Sequence, residues 1–188
     1  MAKRLAKEVS NCDKMFELKF VSEGNTSKLT AVIPGPEGTP KEPSIWAGGK
    51  FKVSITMPAD YPYSPPKIRF TSPMFHPNVY DKGTESVSEL GIEAHGPGDI
   101  CVDILENKTW TPGMTLESSL KSIQSMLDSP NIDSPANIDA AKLYRDNRDM
   151  YNAMVTSLIA DQKGGRRKTR RGSRRSPKRS RRTRRTRR

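Results

Sequence analysis

The chain has 188 residues, with 33 Lys/Arg against 21 Asp/Glu and a net charge of +12. That average conceals two parts: Gly164 to Arg188 carries 15 Lys/Arg and no acid, so residues 1–163 are mildly acidic. No apolar run has the length of a membrane span or the form of a signal peptide, and two cysteines with two histidines are too few for a typical four-ligand structural zinc site. The expectation is a soluble intracellular protein, cytoplasmic or nuclear, whose Cys12 and Cys101 stay reduced.

Residues Ala2 to about Cys12 predict a helix, because Ala2, Leu5, Ala6 and Val9 recur at helical spacing. Phe16 to Val21 reads as a strand, Glu23-Gly24-Asn25 as a turn, and Leu29 to Ile33 as a second strand. The run IPGPEGTPKEPS is a loop, since its prolines lack ladder donors. In Lys50 to Met57, Phe51, Val53, Ile55 and Met57 alternate with polar residues, which predicts a half-buried strand. After YPYSPP, Lys67 to Phe70 is the fourth. Short links between successive strands imply an antiparallel meander.

Thr71 to Thr111 shows no regular strand, and long irregular segments tend to be functional. Helical signals then resume. Thr115 caps a helix with Leu116, Leu120, Ile123 and Leu127 on one face. Ser134-Pro135 reads as another helix start, with Ser134 as cap and Ile138, Ala141 and Tyr144 on one face. Tyr151, Met154, Val155, Leu158 and Ile159 mark a last helix, ended by Gly164-Gly165. The fold class is α+β: an N-terminal helix, a four-stranded antiparallel meander, then about three helices.

The ordered segments YPYSPPKIRF, FHPN, ICVDIL, WTPGMT and SPANIDAAKLY, with the basic first helix and the GG after Trp46, resemble the ubiquitin-conjugating enzymes. The resemblance covers roughly Ala2 to Ala160, and the SPAN-x-DAA segment is most similar to the branch with serine before that proline. It implies a core domain over 1–163 that receives ubiquitin on Cys101 as a thioester and passes it to a lysine amine. One departure stands out: 22 residues separate Asn78 from Cys101, more than the short turn usual in the family. The insertion is roughly 84–98, and Glu85, Glu89 and Glu93 make it acidic.

Cysteine suits thioester chemistry because it is nucleophilic and leaves well near neutral pH. Asp99, Asp103 and Glu106 lie close to Cys101 in sequence and should raise its pKa. That fits a carrier loaded from an activated acyl group better than a Cys-His hydrolase. On composition alone Cys101 reads equally as a small buried hydrophobe. Asn78 is a candidate oxyanion donor or a residue that ties down its own loop. The resemblance makes His76 and Pro77 structural and places Tyr80, Asp103 and Ser134 along the lysine approach. It assigns Lys3, Arg4, Lys7, Tyr63 and Pro112 to docking of the activating enzyme and the ligases. It implies no bound cofactor or metal, with ATP used upstream by the activating enzyme.

Residues 164–188 hold no apolar side chain to bury and are expected to be disordered. Residues 166–188 suit a nuclear signal or a contact with nucleic acid or an acidic partner; no membrane contact is expected. A carrier of another ubiquitin-like modifier, or an inactive binding-only relative, stays open on these residues.

Overall fold

The alternation read in the third strand also holds in the second and fourth, while all four residues of the first are exposed. In the computed structural model, which describes residues 2–22, 27–83 and 95–164, strands β1 (Lys19–Ser22), β2 (Lys28–Pro34), β3 (Lys50–Thr56) and β4 (Lys67–Phe70) pair antiparallel in the order β1-β2-β3-β4. Leu29, Ala31 and Ile33 of β2, Phe51, Val53 and Ile55 of β3, and Ile68 and Phe70 of β4 all turn to one face and are buried. Side chains alternate across a strand, so the intervening residues form an open opposite face.

Helix α1 (Ala2–Asn11) and helix α2 (Leu116–Asp128) pack together, and α2 also packs on β2. Leu116, Leu120, Ile123 and Leu127 are buried, as their spacing predicts. Thr115 Oγ1 accepts from the Ser118 N–H (3.1 Å) while Ser118 Oγ accepts from the Thr115 N–H (3.0 Å), a reciprocal cap that satisfies two terminal donors. Helix α4 (Arg148–Gly164) sends Tyr151, Val155 and Ile159 into the same core.

Three expectations need correction. The first strand begins at Lys19, not Phe16, because Asp13 caps a 3-10 turn over Lys14–Phe16, its carboxylate accepting from the Met15 N–H. Helix α3 spans Ile138–Asp146 and is capped by Asn137, whose Oδ1 accepts from the Ala140 N–H (3.0 Å). Ser134 therefore lies in the preceding loop and is no helix cap. Ile138 is 74% exposed, and Ala140 and Ala141 take the buried side instead. The predicted turn at 23–25, the glutamates of the insertion and the tail beyond Gly164 lie outside the described residues.

Candidate active site

The HPN segment is held from beneath. His76 is fully buried; its Nδ1 accepts from the Asn78 N–H (3.1 Å), so Nε2 carries the proton and donates to the Met126 carbonyl of α2 (3.1 Å). Burial drives the imidazole pKa down to about 4, so the ring is neutral at physiological pH. Pro77 offers its carbonyl to the Asn137 N–H (2.9 Å), which joins this loop to the cap of α3.

Asn78 is 2% exposed and makes a closed pair with the backbone of Asn131. Its Nδ2 donates to the Asn131 carbonyl and its Oδ1 accepts from the Asn131 N–H, each at 2.8 Å. This carboxamide imitates a peptide group in a two-stranded ladder. It thereby tethers residues 131–137, the loop that carries exposed Ser134. The Asn78 carbonyl also accepts from the Cys101 N–H (2.9 Å), and Val79 bridges Ile100. The segment after the insertion is thus returned to the segment before it.

The end of the insertion is clamped as well. Gly98 N–H donates to the Tyr80 carbonyl (2.7 Å), and Tyr80 N–H donates to the Asp99 carbonyl (3.0 Å). Gly98 has φ +86°, and a Cβ there would stand 2.1 Å from the Phe70 carbonyl oxygen, so only glycine fits. The turn lays the His95 ring flat on Tyr80, with centroids 4.3 Å apart and planes 7° from parallel. The ring is therefore part of the wall. Arg69 supports the same turn through the Pro97 carbonyl (2.6 Å) and Asp99 (3.5 Å).

Cys101 is half-buried and lines a groove with Pro65, Lys67, Arg69, His95 and Glu106. Burial raises the thiol pKa most, and the negative charges of Glu106 and Asp103 raise it further, against a smaller opposing effect from Lys108. Asp103 is exposed and opens a 3-10 turn, Asp103–Leu105, fastened by Thr109 Oγ1 to the Asp103 carbonyl. Tyr80 has its phenol pKa raised by burial, then by Cys101 and Asp99, so it stays protonated near neutrality. Tyr80 and Cys101 are therefore neighbours in space.

A second surface lies around α1. Tyr63 is 77% exposed, and Lys3, Lys7 and Pro112 are exposed. Arg4 is not a free cation: it bonds Glu8 (2.7 Å) and the Met114 carbonyl (2.9 Å). Glu8 also accepts from the Tyr61 hydroxyl (2.7 Å) and the Leu116 N–H (2.9 Å), while Trp110 Nε1 donates to the Pro62 carbonyl (2.8 Å). Glu8 and Asn131 escaped the sequence reading. Glu8 left a signal there, its i, i+4 spacing from Arg4; Asn131 meets Asn78 through its backbone, while its Oδ1 accepts from the Asp133 N–H (3.0 Å). Among the described residues, no helix is long and apolar enough to cross a membrane.

A meander sheet backed by helices, with a half-exposed thiol beside a clamped HPN loop, defines an acyl-carrier enzyme. The ubiquitin-conjugating enzyme family matches residues 2–93 and 90–159. The chain is similar to ubiquitin-conjugating enzyme E2 7 of Arabidopsis thaliana, 42% identical over 145 residues, which span 77% of this chain and 82% of that one. It is 47% identical over 122 residues to ubiquitin-conjugating enzyme E2-34 kDa of Saccharomyces cerevisiae, covering 65% of this chain and 40% of the relative. Among solved structures, the E2 domain of a Toxoplasma gondii ubiquitin conjugating enzyme superposes with a TM-score of 0.65 at 29% identity, over 85% of this chain and 96% of that one. The chain belongs to the ubiquitin-conjugating enzymes: it transfers ubiquitin through a thioester, and the family implies ubiquitin, an activating enzyme and ligases as its partners.

Proposed function

We propose that Cys101 is the residue that carries ubiquitin. The observation that supports this most is its half-exposed position on the groove, bonded through its backbone to Asn78. In loading, the Cys101 thiolate attacks the carbonyl carbon of the activating enzyme's ubiquitin thioester, and that enzyme's thiolate leaves. In discharge, a lysine amine attacks the new thioester, the amine loses a proton, and the Cys101 thiolate leaves. No cofactor is bound in either step, and ATP is spent upstream. Incubation with ubiquitin, activating enzyme and Mg-ATP should give a band heavier by one ubiquitin on a non-reducing gel. The band should vanish on reduction and be absent with Cys101→Ala. A band that persists in the variant would move the carrier role elsewhere.

In this reading Asn78 organises the loop, because its carboxamide is occupied on both sides by Asn131. Tyr80, Asp103 and Ser134 line the amine's approach. A free lysine has a pKa of about 10.4, so desolvation and a hydrogen-bond acceptor are both needed to present a neutral amine. Ser134 marks the branch with serine at that position and supplies an acceptor but no carboxylate. His76, neutral and bonded at both nitrogens, serves the loop and not the proton transfer. Lys3, Lys7, Tyr63 and Pro112 meet the activating enzyme and ligases, with Arg4 holding that surface together.

The catalytic core ends near residue 163, and residues 164–188 are a separate basic segment that directs the enzyme to the nucleus and contacts nucleic acid. Fifteen cations without a single acid support this reading.

A further inference from the structure

The open face of the sheet is strongly charged. The register places Lys28, Thr56 and Lys67 in one row across β2, β3 and β4, with Lys19, Thr30, Ser54 and Arg69 in the next row across all four strands. Lys52 stands opposite Val32 in a third row, and Lys50 opposite Pro34 in a fourth. All six cations are exposed, and none of these positions holds an acid. Among the described residues, Glu17 pairs with Lys50 (3.1 Å) and Asp99 with Arg69 (3.5 Å). Rows lie about 7 Å apart and strands about 4.8 Å apart, so the patch measures roughly 14 by 20 Å.

Lysine on an edge strand protects against unwanted strand pairing. That accounts for Lys19 and Lys67 but not for Lys28, Lys50 and Lys52, which sit on the two inner strands. Residues 1–163 carry more acid than base overall, so this concentration of cations on one face is not a reflection of composition. The basic segment also begins beside it: Gln162, in the last turn of α4, accepts from the Lys50 N–H (3.1 Å) at the start of β3.

We infer that the open face of the sheet binds the phosphate backbone of duplex nucleic acid. The inference rests on the nucleic-acid reading of the basic segment. The lining favours a duplex over an unpaired strand. Hydroxyls of Thr30, Ser54 and Thr56 alternate with the cations, a set suited to phosphate oxygens. The rows of the open face hold no aromatic ring for an unpaired base to stack on; Phe20, Phe51 and Phe70 pair in the alternate rows, on the core side. A patch of about 20 Å spans about six base pairs, and recognition is independent of sequence.

The test uses the full chain and a labelled DNA duplex of about 20 base pairs, titrated between about 50 and 200 mM salt. The variant Lys19→Gln/Lys28→Gln/Lys52→Gln removes three cations of the face. Lys41→Gln/Lys82→Gln/Lys142→Gln removes three exposed cations elsewhere. The plot of log affinity against log salt should become shallower by about 2.7 in the face variant, at about 0.9 per phosphate contact, and stay unchanged in the control. Thioester loading should be equal in all three proteins. Parent binding with the same slope in both variants would overturn the face and leave the basic segment standing. Failure of the parent to bind would overturn both. Retention of poly-glutamate but not of the duplex would reassign the face to acidic proteins and overturn the proposal.

Discussion

The floor and the rim of the candidate site follow opposite physics. At the floor, His76, Pro77 and Asn78 are buried, and His76 and Asn78 have their polar side-chain atoms bonded to fixed backbone groups. At the rim, Cys101 is half-buried while Asp103 and Ser134 are exposed. The floor can neither titrate near neutrality nor move without breaking paired groups. The rim is shaped by charge and open to a partner. Fixed geometry beneath and adjustable chemistry above suit the carrier role proposed for Cys101.

The sharpest way to break this contrast is to remove the imidazole. His76→Ala leaves the Asn78 N–H and the Met126 carbonyl unpaired in the core and should cost about 3 kcal/mol in urea unfolding. The same group gives a pH signature. Its pKa is lowered from 6.5 unfolded to about 4 folded, so the unfolded chain binds the extra proton between those values. Its share of stability is complete above about pH 6.5 and is lost as pH falls through 4, a change of about 3 kcal/mol. The drop should be missing from the His76→Ala curve; its persistence there would assign it to another group.

At the rim the effects are smaller and kinetic. Ser134→Ala should leave loading intact and slow discharge to free lysine about fivefold, the worth of one hydrogen bond of about 1 kcal/mol. Equal single-turnover rates would remove Ser134 from the amine's approach. The smallest effect is on the thiol itself. Burial remains in Glu106→Gln, but one of the charges that raise the Cys101 pKa is gone. Alkylation by iodoacetamide at fixed pH should accelerate roughly twofold. No acceleration would remove the Glu106 charge from what holds the thiol up, leaving burial and Asp103.

Local patterns were legible in the sequence, and tethers between distant segments were not. The period-two alternation of β3 and the period-3.6 stripe of α2 name their buried faces directly. The start of α3 was misread because Ser134 and Asn137 are both good capping residues three positions apart. The choice between them is made elsewhere, by the Pro77 carbonyl that receives the Asn137 N–H. The place of His95 on Tyr80 is set in the same way, since Gly98 lies against Phe70 and Asp99 bridges Arg69, both of these partners being distant in sequence. Cys101 and the HPN segment were recognisable as ordered motifs, but the pair of hydrogen bonds between Asn78 and Asn131 was not, since Asn131 joins it through its backbone.

The Glu8 carboxylate gives the α1 surface a single keystone. Helix α1, the Tyr61 loop and the first turn of α2 meet on its two oxygens, and Arg4 extends the join to Met114. Segments more than fifty residues apart in the chain therefore answer to one side chain. Energies of substitution at Arg4, Glu8 and Tyr61 will not sum, because the first loss already loosens what the second would have removed. A partner that grips any one of these segments meets all of them as a single stiff plate.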